Sequence, residues 1–335
     1  MLKQRFQKNI RAAADILLQG GVVAFPTETV YGLGADAANP QALCRVFEIK
    51  GRPTDHPLIV HFGHVSLLDY WAGGIPDGAW RLASRFWPGP LTLILPRRTH
   101  VSRLVTGGQD TVGLRVPDHP VALALLRNMG PDKGLAAPSA NRFGRVSPTT
   151  AEHVRAEFGE QVDMILDGGP CRVGVESTIV GFNGKLPVLL RHGGIPVPAL
   201  EEALGQKILL PDAAKLSPRT PGSLPSHYAP ATPLEVWPAG ALERRARELA
   251  TQGQRVALLE LIEEPSPYPD SPRLFHHPMP ARATAYARVL YSTLRKIDDA
   301  CFDRILAEAP PQTADWQAVH DRLRRAATLY CSTEV

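Results

Sequence analysis

Short apolar runs of strand length alternate with helical periodicity along most of this chain, and that order restricts it to an α/β fold. In the first 210 residues, strands are predicted at 22–25, 58–62, 91–95, 112–116, 135–138, 164–166, 177–182 and 187–191, and helices at 10–18, 39–51, 80–87, 119–129 and 149–158. Some consecutive strands stand too close together for a crossover connection. The sequence therefore predicts a twisted, mixed sheet with helices.

A proline-rich segment divides the chain. Seven prolines stand from Pro211 through Pro238 with little periodicity, which indicates a semi-extended linker, and 335 residues exceed the usual size of one core. Beyond it, strands at 234–237, 256–260 and 302–307 alternate with helices at 242–249, at 283–297 and near the C-terminus. This order is typical of a small doubly wound, Rossmann-like parallel sheet. We expect domains at 1–210 and 234–335, joined by a linker at 211–233.

Composition and charge argue against several classes of protein. Hydrophobic residues make up 44% and charged residues 21%, which is unlike a disordered chain. No apolar run approaches the ~20 residues that cross a bilayer, and no export signal is recognisable, so we expect a cytoplasmic protein. The four cysteines are scattered without a CxxC pair, which argues against a structural zinc or a disulfide framework.

The segment PTETVYGLG, residues 26–34, directly follows a predicted strand. Open α/β sheets bind ligands at the carboxyl ends of their strands. Thr27, Thr29 and Tyr31 supply hydroxyl groups there, and the glycines allow close approach of the backbone to a ligand. An ordinary tight turn explains the same residues equally well.

Two cations lie in the next motif, KGRPTDHPLIVH at 50–61. Pro53 and Pro57 force Lys50 and Arg52 out of the preceding helix into a rigid turn. Arginine binds phosphate oxygens through two parallel donors and lysine adds a point charge, so the pair suits a phosphate ligand. Interaction with the dipole of the helix C-terminus explains the charges as well, but not the prolines that bracket them.

Two polar residues interrupt strands that are otherwise apolar, His61 in LIVHF and Arg115 in VGLRV. An unpaired guanidinium is very costly to bury, so we expect an anion beside Arg115, either a protein carboxylate or the carboxylate of a substrate. His61 is either a satisfied core histidine or a ligand contact. With His64 it forms HxxH, which lacks the further ligands of a zinc site.

Hydroxyl, amide and guanidinium groups recur at later strand ends. PSAN contributes Ser139 and Asn141, ESTIV contributes Ser177, and LLRHG contributes Arg191. Ser147 precedes a proline and is predicted to cap a helix. The motifs GxxxxGK[ST], GxGxxG, GxSxG and HExxH are absent from the sequence. Hydroxyls and cations at strand ends suit the binding of two adjacent polar ligands better than covalent catalysis.

Taken in order, these motifs resemble a known family. PTETVYGLG, KGRPTDHPLIVH, PSAN, SPT, ESTIV and LLRHG are similar to the YrdC-type domain of threonylcarbamoyl-AMP synthases, and HYAP at 227–230 before an α/β domain resembles the two-domain members. The resemblance implies that L-threonine, bicarbonate and ATP become threonylcarbamoyl-adenylate, pyrophosphate and water. Downstream transferase proteins would use this product to make threonylcarbamoyladenosine beside the anticodon of tRNA.

The resemblance also assigns side chains to the substrates. ATP would be bound by Lys50, Arg52, His56, Ser139, Asn141, Ser147, Arg191 and Tyr228, and threonine by Thr29, His61, Arg115, Ala137 and Ser177. His56 stands where the family often has asparagine, and Tyr228 would close over the nucleotide from the linker. Lys50 and Arg52, with a magnesium ion carried by ATP, would position the phosphates and neutralise the developing charge. No general base and no metal-binding side chain is assigned.

Two other functions stay open. Five arginines favour an RNA-binding translation or ribosome-assembly factor, although aromatic interleaving is absent and the net charge is only +4; they are Arg97, Arg98, Arg103, Arg142 and Arg145. A similar domain occurs in maturation proteins that use carbamoyl phosphate, but the acylphosphatase and zinc-finger segments of those proteins are not recognisable here. A synthase is compatible with weak or indirect RNA binding, and no membrane partner is expected.

Overall fold

The computed structural model describes residues 2–210, 218–222, 227–261 and 272–331, with residues 2–5 as backbone only. Contacts divide the chain into two compact units, Met1–Phe143 with Ser147–Ser223, and Gly144–Val146 with Leu224–Val335. The expected linker at 211–233 therefore lies in part outside the described residues. No helix among the described residues is long and apolar enough to span a bilayer.

The first unit is built on a large mixed sheet. Its strands are β1 (Val23–Phe25), β2 (Gly32–Asp36), β3 (Ile59–Phe62), β4 (Leu91–Pro96), β5 (Thr111–Arg115), β6 (Gly134–Ala136), β7 (Met164–Ile165), β8 (Thr178–Asn183) and β9 (Leu186–Arg191). They lie in the order β7-β1-β2-β6-β3-β5-β4-β8-β9. The pairs β1–β7, β3–β5 and β4–β8 are parallel and the others antiparallel. The predicted mixed sheet is confirmed.

The helices of this unit are α1 (Leu2–Leu18), α2 (Pro40–Lys50), α3 (Leu68–Trp71), α4 (Asp77–Phe86), α5 (Arg103–Thr106), α6 (Pro120–Met129), α7 (Ala151–Phe158) and α8 (Val197–Leu204). The predicted start of α2 is confirmed, since the Asn39 side chain accepts hydrogen bonds from the backbone of Gln41 and Ala42, and Gly51 ends the helix with φ of 60°. Helices α3, α5 and α8 were not predicted, because their short segments carry too few residues for a periodic pattern.

Strand β2 begins within the PTETVYGLG segment, where no strand was predicted. A Cβ atom on Gly34 would lie 2.7 Å from the Phe25 ring, and one on Gly32 would lie 3.2 Å from it. These two glycines are therefore places where a strand passes close to an aromatic ring, which is a known use of glycine in sheets. Residues 26–31 form a tight connection between the antiparallel strands β1 and β2.

Alternate residues of β1 point into different apolar clusters, as the period of a strand requires. Ala24 packs with residues such as Leu33 and Val60 in the larger cluster, whereas Phe25 packs with Ala137 and residues of α1 and α6 in the smaller one. The Phe25 ring also meets the His61 ring edge-on at 5.9 Å. His61 therefore lies on the face of the sheet that α1 and α6 cover.

The predicted cap at Ser147 is wrong. Helix α7 begins at Ala151, and Thr150 caps it by accepting a hydrogen bond from the backbone of His153. Ser147 is instead fully buried, and its hydroxyl donates to Glu176 Oε1 at 2.6 Å. A hydroxyl four residues before the helix is too far away to reach its first N–H groups, and the threonine beside the helix takes that role.

The second unit contains strands β10 (Leu234–Trp237), β11 (Val256–Leu261), β12 (Leu274–Met279), β13 (Arg304–Glu308) and β14 (Leu329–Tyr330), and helices α9 (Ala239–Thr251), α10 (Ala283–Asp299) and α11 (Gln317–Ala326). The strands lie in the order β12-β11-β13-β10-β14, and all pairs are parallel. The predicted Rossmann-like sheet is confirmed. Strands β12 and β14 were missed; β12 is an edge strand whose exposed Pro278 hides the strand pattern.

Candidate active site

A buried ion pair lies at the carboxyl ends of β1 and β5. Arg115 Nη2 is 2.8 Å from Glu28 Oε1 and donates to Thr29 Oγ1 at 2.8 Å. Arg115 is 4% exposed and Glu28 is fully buried. Of the two anionic partners that the sequence left open, the protein carboxylate is present. Glu28 was not predicted, although a carboxylate directly after a buried strand was a usable signal.

His61 lies beside this ion pair, because it is the register partner of Arg115 in the parallel pair β3–β5. It is 4% exposed, and its Nδ1 has no hydrogen-bond partner among the residues that the structure describes. Burial first, and the Arg115 charge second, lowers the pKa of the His61 imidazole to about 3. The ring is therefore neutral near pH 7 and has a polar atom left for a ligand.

The backbone around Thr29 is held by the segment that leads to β8. Val173 and Gly174 donate their N–H groups to the carbonyl oxygens of Glu28 and Thr29, at 2.8 and 3.1 Å. The Thr27 and Thr29 hydroxyls lie 2.8 Å apart, and Thr27 also donates to the Val30 carbonyl. The two predicted threonine hydroxyls are thus brought together and fixed, whereas the predicted Tyr31 hydroxyl instead donates to the Gly169 carbonyl at 2.9 Å.

Ala137, the remaining residue assigned to threonine besides Ser177, follows β6 and is buried. Its N–H donates to the Ile59 carbonyl at 2.9 Å, and its Cβ lies 3.4 Å from where a Cβ on Gly32 would be. The position is therefore crowded, and a small side chain suits it.

Lys50 connects the end of α2 with the PSAN loop. Its Nζ donates to the Ser139 carbonyl at 2.6 Å and to the Asn141 carbonyl. The side chain is 3% exposed, and burial first, then the charge of Arg52, lowers the pKa of the Lys50 amine well below its usual value. The structure brings these three residues together, with the lysine as the contact that fixes the loop.

Arg52 and His56 both pack against Phe143. The Arg52 guanidinium lies 5.5 Å from the centre of the Phe143 ring, and the His56 ring meets it edge-on at 5.1 Å. Arg52 also donates to the Pro57 carbonyl at 2.9 Å. Burial first, then Arg52, lowers the pKa of His56. Phe143 was not predicted, and the available signal was an aromatic residue two positions after the PSAN motif.

Ser177 and Arg191 share hydrogen bonds at the start of β8 and the end of β9. Arg191 donates to the carbonyl and the hydroxyl of Ser177, and Nη1 donates to the Pro221 carbonyl at 2.8 Å. The Ser177 hydroxyl lies 2.8 Å from that of Thr92. Thr92 and Pro221 were not predicted. Pro221 lies in the proline-rich segment and belongs to the first unit. Its carbonyl oxygen is the atom that contacts Arg191 of that unit.

The chain brings Arg219 of the same segment to the loop that contains the KGRPTDHP motif. Its guanidinium donates to Asp55 Oδ2 at 3.0 Å and to the Gly107 carbonyl at 2.9 Å. Its backbone exchanges two hydrogen bonds with the Gln109 side chain. The described residues 218–222 are therefore an ordered part of the first unit.

Tyr228 lies in the second unit, so the structure does not place it in the clusters above. Its buried ring stacks on Tyr291 at 5.8 Å, and the Arg322 guanidinium lies 5.0 Å from the ring centre. Its φ of 62° is unusual for a residue with a side chain. Its assignment to ATP stays a prediction.

The arginines that favoured an RNA-binding factor are mostly engaged within the protein. Arg97 donates to the Val101 carbonyl, Arg98 to the Ala72 carbonyl, and Arg103 to the Gly108 carbonyl and to Asp110; Arg142 packs on Phe158, and Arg145 lies 3.9 Å from Asp298. Guanidinium groups used in this way leave fewer donors for phosphates. The geometry therefore does not favour that alternative.

Taken together, the first unit contains buried cations and hydroxyls and no group of three or more metal-ligating side chains in its described residues. Cys171 is buried, and burial raises the pKa of its thiol to about 12, so it is not a nucleophile. Glu28 accepts a hydrogen bond from the Asp118 N–H and is ion-paired with Arg115, and Glu176 accepts one from the Ser147 hydroxyl. Such a site can bind and orient anionic and polar ligands without forming a covalent intermediate.

Comparison with known proteins gives matches over nearly the whole chain. The Sua5, YciO and YrdC family, described as telomere recombination, matches residues 15–193, and the threonylcarbamoyl-AMP synthase C-terminal domain matches residues 195–328. Threonylcarbamoyl-AMP synthases of Pyrococcus abyssi and Bacillus subtilis are 40% and 42% identical, over 97% and 95% of this chain and 96% and 92% of their own. The crystal structure of P. abyssi Sua5 complexed with L-threonine has a TM-score of 0.87 and 39% identity, covering 97% of this chain and 96% of that one. The chain therefore belongs to the Sua5/YrdC family and has both the YrdC-type domain and the Sua5 C-terminal domain.

Proposed function

We propose that this protein is a threonylcarbamoyl-AMP synthase, which converts L-threonine, bicarbonate and ATP to threonylcarbamoyl-adenylate, pyrophosphate and water. The proposal rests on one observation, which is that two different kinds of site are present in the same unit. Arg115 and His61 lie side by side on neighbouring strands, and Lys50 holds the loop of Ser139 and Asn141. The first pair suits an amino acid and the second group suits a nucleotide.

In the first cluster, Arg115 would receive the threonine carboxylate and His61 an uncharged polar group of threonine. A guanidinium is the side chain best suited to a carboxylate, and a neutral imidazole suits an uncharged partner. Thr29 and Ser177 would add hydroxyl contacts, and Ala137 would limit the space. The low pKa of His61 supports this division, because the ring does not compete with Arg115 for the anion.

The chemistry requires positioning more than acid or base groups. Bicarbonate takes a proton from the threonine ammonium group and breaks down to carbon dioxide and water. The free amine then adds to the carbon of carbon dioxide and releases one proton to solvent, which leaves a carbamate. A carbamate oxygen then attacks the α-phosphorus of ATP, the bond to the β-phosphate oxygen breaks, and pyrophosphate leaves. Holding the two reactants in line can lower the barrier by about 7–11 kcal/mol. No general base is required, and the engaged state of Glu28 and Glu176 fits that account.

The ATP side would use Lys50, Arg52, His56, Ser139, Asn141, Ser147 and Arg191. ATP would bind as its magnesium complex. Because the carboxylates of Glu28 and Glu176 already have partners, the metal would be held by phosphates and water. Lys50 and Arg52 would neutralise charge on the departing pyrophosphate. The mixed anhydride product reacts with nucleophiles, so a transferase acting on tRNA is its expected consumer.

Amino-acid-dependent product formation tests the proposal. Purified protein is incubated with magnesium, ATP, bicarbonate and one amino acid at a time, pyrophosphate is followed, and the adenylate is identified by mass spectrometry. We expect pyrophosphate release that requires threonine and bicarbonate, and an adenylate that carries the carbon of labelled bicarbonate. Release that is indifferent to threonine would contradict the proposal, and serine in place of threonine is the control for the side-chain methyl.

A further inference from the structure

Glu28 is held at three points, although it is neither an expected substrate contact nor exposed. Its Oε1 lies 2.8 Å from Arg115 Nη2, and its Oε2 accepts the Asp118 N–H at 3.0 Å. Its carbonyl oxygen accepts the Val173 N–H at 2.8 Å. Both carboxylate oxygens and the backbone are thus fixed, so Glu28 presents a rigid carboxylate to the guanidinium.

The same contacts determine which donors of Arg115 remain. Nη2 donates a hydrogen bond to Thr29 Oγ1 and is in ion-pair contact, without hydrogen-bond geometry, with Glu28 Oε1. The Nε–H is buried and has no hydrogen-bond partner in the described part of the chain. An arginine whose Nη2 is held by two oxygens cannot rotate freely about its long side chain, and the Nε–H on the same edge is the donor that remains for an incoming carboxylate.

We infer that Glu28 is a positioning residue for threonine, which holds the buried Arg115 guanidinium in the correct orientation before the substrate carboxylate arrives. The inference rests on the proposed function, since it needs a carboxylate ligand at Arg115. A hydrogen bond from the Nε–H depends on the orientation of the guanidinium plane, so losing that orientation weakens binding even when the charge is retained. A buried ion pair that only stabilises the fold would not affect the choice between ligands.

Glu28→Gln is the direct test. Glutamine has nearly the same shape, but its amide N–H₂ has to face either the Arg115 guanidinium or the Asp118 N–H, and two donors repel. We expect the dissociation constant for L-threonine to rise at least tenfold, with KM for ATP within twofold of wild type. We also expect the preference for L-threonine over L-threoninamide, which lacks the carboxylate, to fall at least fivefold.

The chain offers a matched control in its other unit. Glu235 is 4% exposed, and its carboxylate is hydrogen-bonded to Arg245 and Trp237. Glu235→Gln breaks a buried pair of the same kind and lowers the melting temperature. We expect the threonine dissociation constant and the preference over threoninamide to stay at their wild-type values in this variant. A change in both variants would assign the effect to lost stability and overturn the inference.

Glu28→Asp decides the question if Glu28→Gln does not fold. Aspartate keeps the charge but is one methylene shorter, so it draws the guanidinium out of place. We expect a loss of threonine affinity and of the preference over threoninamide in the same direction. Either folded variant with wild-type affinity and wild-type preference overturns the inference. A wild-type protein that does not bind threonine contradicts the proposed function instead, so the two failures are distinguishable.

Discussion

The Arg191 guanidinium donates to the Ser177 carbonyl oxygen from both Nε, at 3.1 Å, and Nη2, at 2.9 Å, and Nη2 also lies 3.1 Å from the Ser177 hydroxyl. The family resemblance assigns the arginine to ATP and the serine to threonine. Because the two side chains are hydrogen-bonded to each other, the two sites assigned by the resemblance would adjoin here, and a change at one residue should affect both substrates.

Arg191→Lys tests whether this pair of residues contributes to the binding of both substrates. A lysine ammonium cannot reproduce the fork that Arg191 makes with Ser177, and each charge-assisted hydrogen bond contributes about 1.5–3 kcal/mol. We expect kcat/KM to fall at least tenfold for both ATP and threonine, measured by pyrophosphate release with the other substrate saturating.

Arg247→Lys is the control for that experiment, because Arg247 is exposed on α9 and pairs only with Glu243 among the described residues. It should leave both values unchanged. A defect of Arg191→Lys confined to ATP would show that the two sites are separate.

At Gly193, the backbone that follows β9 packs closely against the backbone at the start of β8. A Cβ atom there would lie 2.3 Å from the Thr178 nitrogen and 2.5 Å from the Glu176 carbonyl oxygen. Backbone atoms cannot yield as a flexible side chain does, so Gly193→Ala should lower the free energy of unfolding by about 2–3 kcal/mol and displace Ser177. Urea denaturation measures the first effect and the KM for threonine the second.

Gly63→Ala provides the comparison, since its Cβ would have its nearest neighbour, a Leu126 carbon, at 3.8 Å, which is ordinary contact. Its unfolding free energy should change by less than about 1 kcal/mol. Equal effects of the two substitutions would mean that loss of glycine flexibility, and not the contact at Gly193, determines the result.

The sequence predicted the architecture well where local pattern determines structure. The strands that contain His61 and Arg115 were predictable because each is an apolar run of strand length around a single polar residue. The comparison with known proteins confirms the family resemblance. The start of α2 at Asn39 was predictable because a cap and its helix are adjacent in sequence.

Long-range partners were not predictable in the same way. The ion pair of Glu28 with Arg115 joins residues 87 positions apart (115 − 28), and a sequence alone does not indicate which of many carboxylates reaches a given arginine. The Ser147 cap failed for the same reason, because its partner Glu176 lies 29 residues away. A local cap rule cannot register a competing long-range hydrogen bond.

His61 should make the protein sensitive to acid. Its folded-state pKa of about 3 lies below the unfolded value of 6.5, so between these values the unfolded chain binds a proton that the folded protein does not. Stability therefore falls as the pH drops through 6.5 toward 3. This one group should reduce the free energy of unfolding by about 2 kcal/mol between pH 7 and pH 5.

His61→Gln removes the titration and retains a polar side chain. Urea denaturation of wild type and variant at pH 7 and pH 5 should show that the difference between them shifts by about 2 kcal/mol in favour of the variant at pH 5. A difference that does not change with pH would mean that the imidazole titrates normally in the folded protein, and hence that it is not buried beside Arg115.

Substitution of Lys50 should distinguish most clearly between effects on ATP use and effects on threonine binding. Lys50→Met keeps the length of the side chain but removes the donors to the Ser139 and Asn141 carbonyls, which would then be left without that partner. Because these contacts hold the loop assigned to ATP, and none of them involves Arg115, we expect turnover to fall at least 100-fold while the threonine dissociation constant stays within threefold. Circular dichroism should show an intact fold.

The exposed Lys185→Met is the control and should be fully active. Wild-type turnover in Lys50→Met would remove the phosphate role of this lysine, and an equal loss of threonine affinity would mean that the loop supports both sites and not the nucleotide alone.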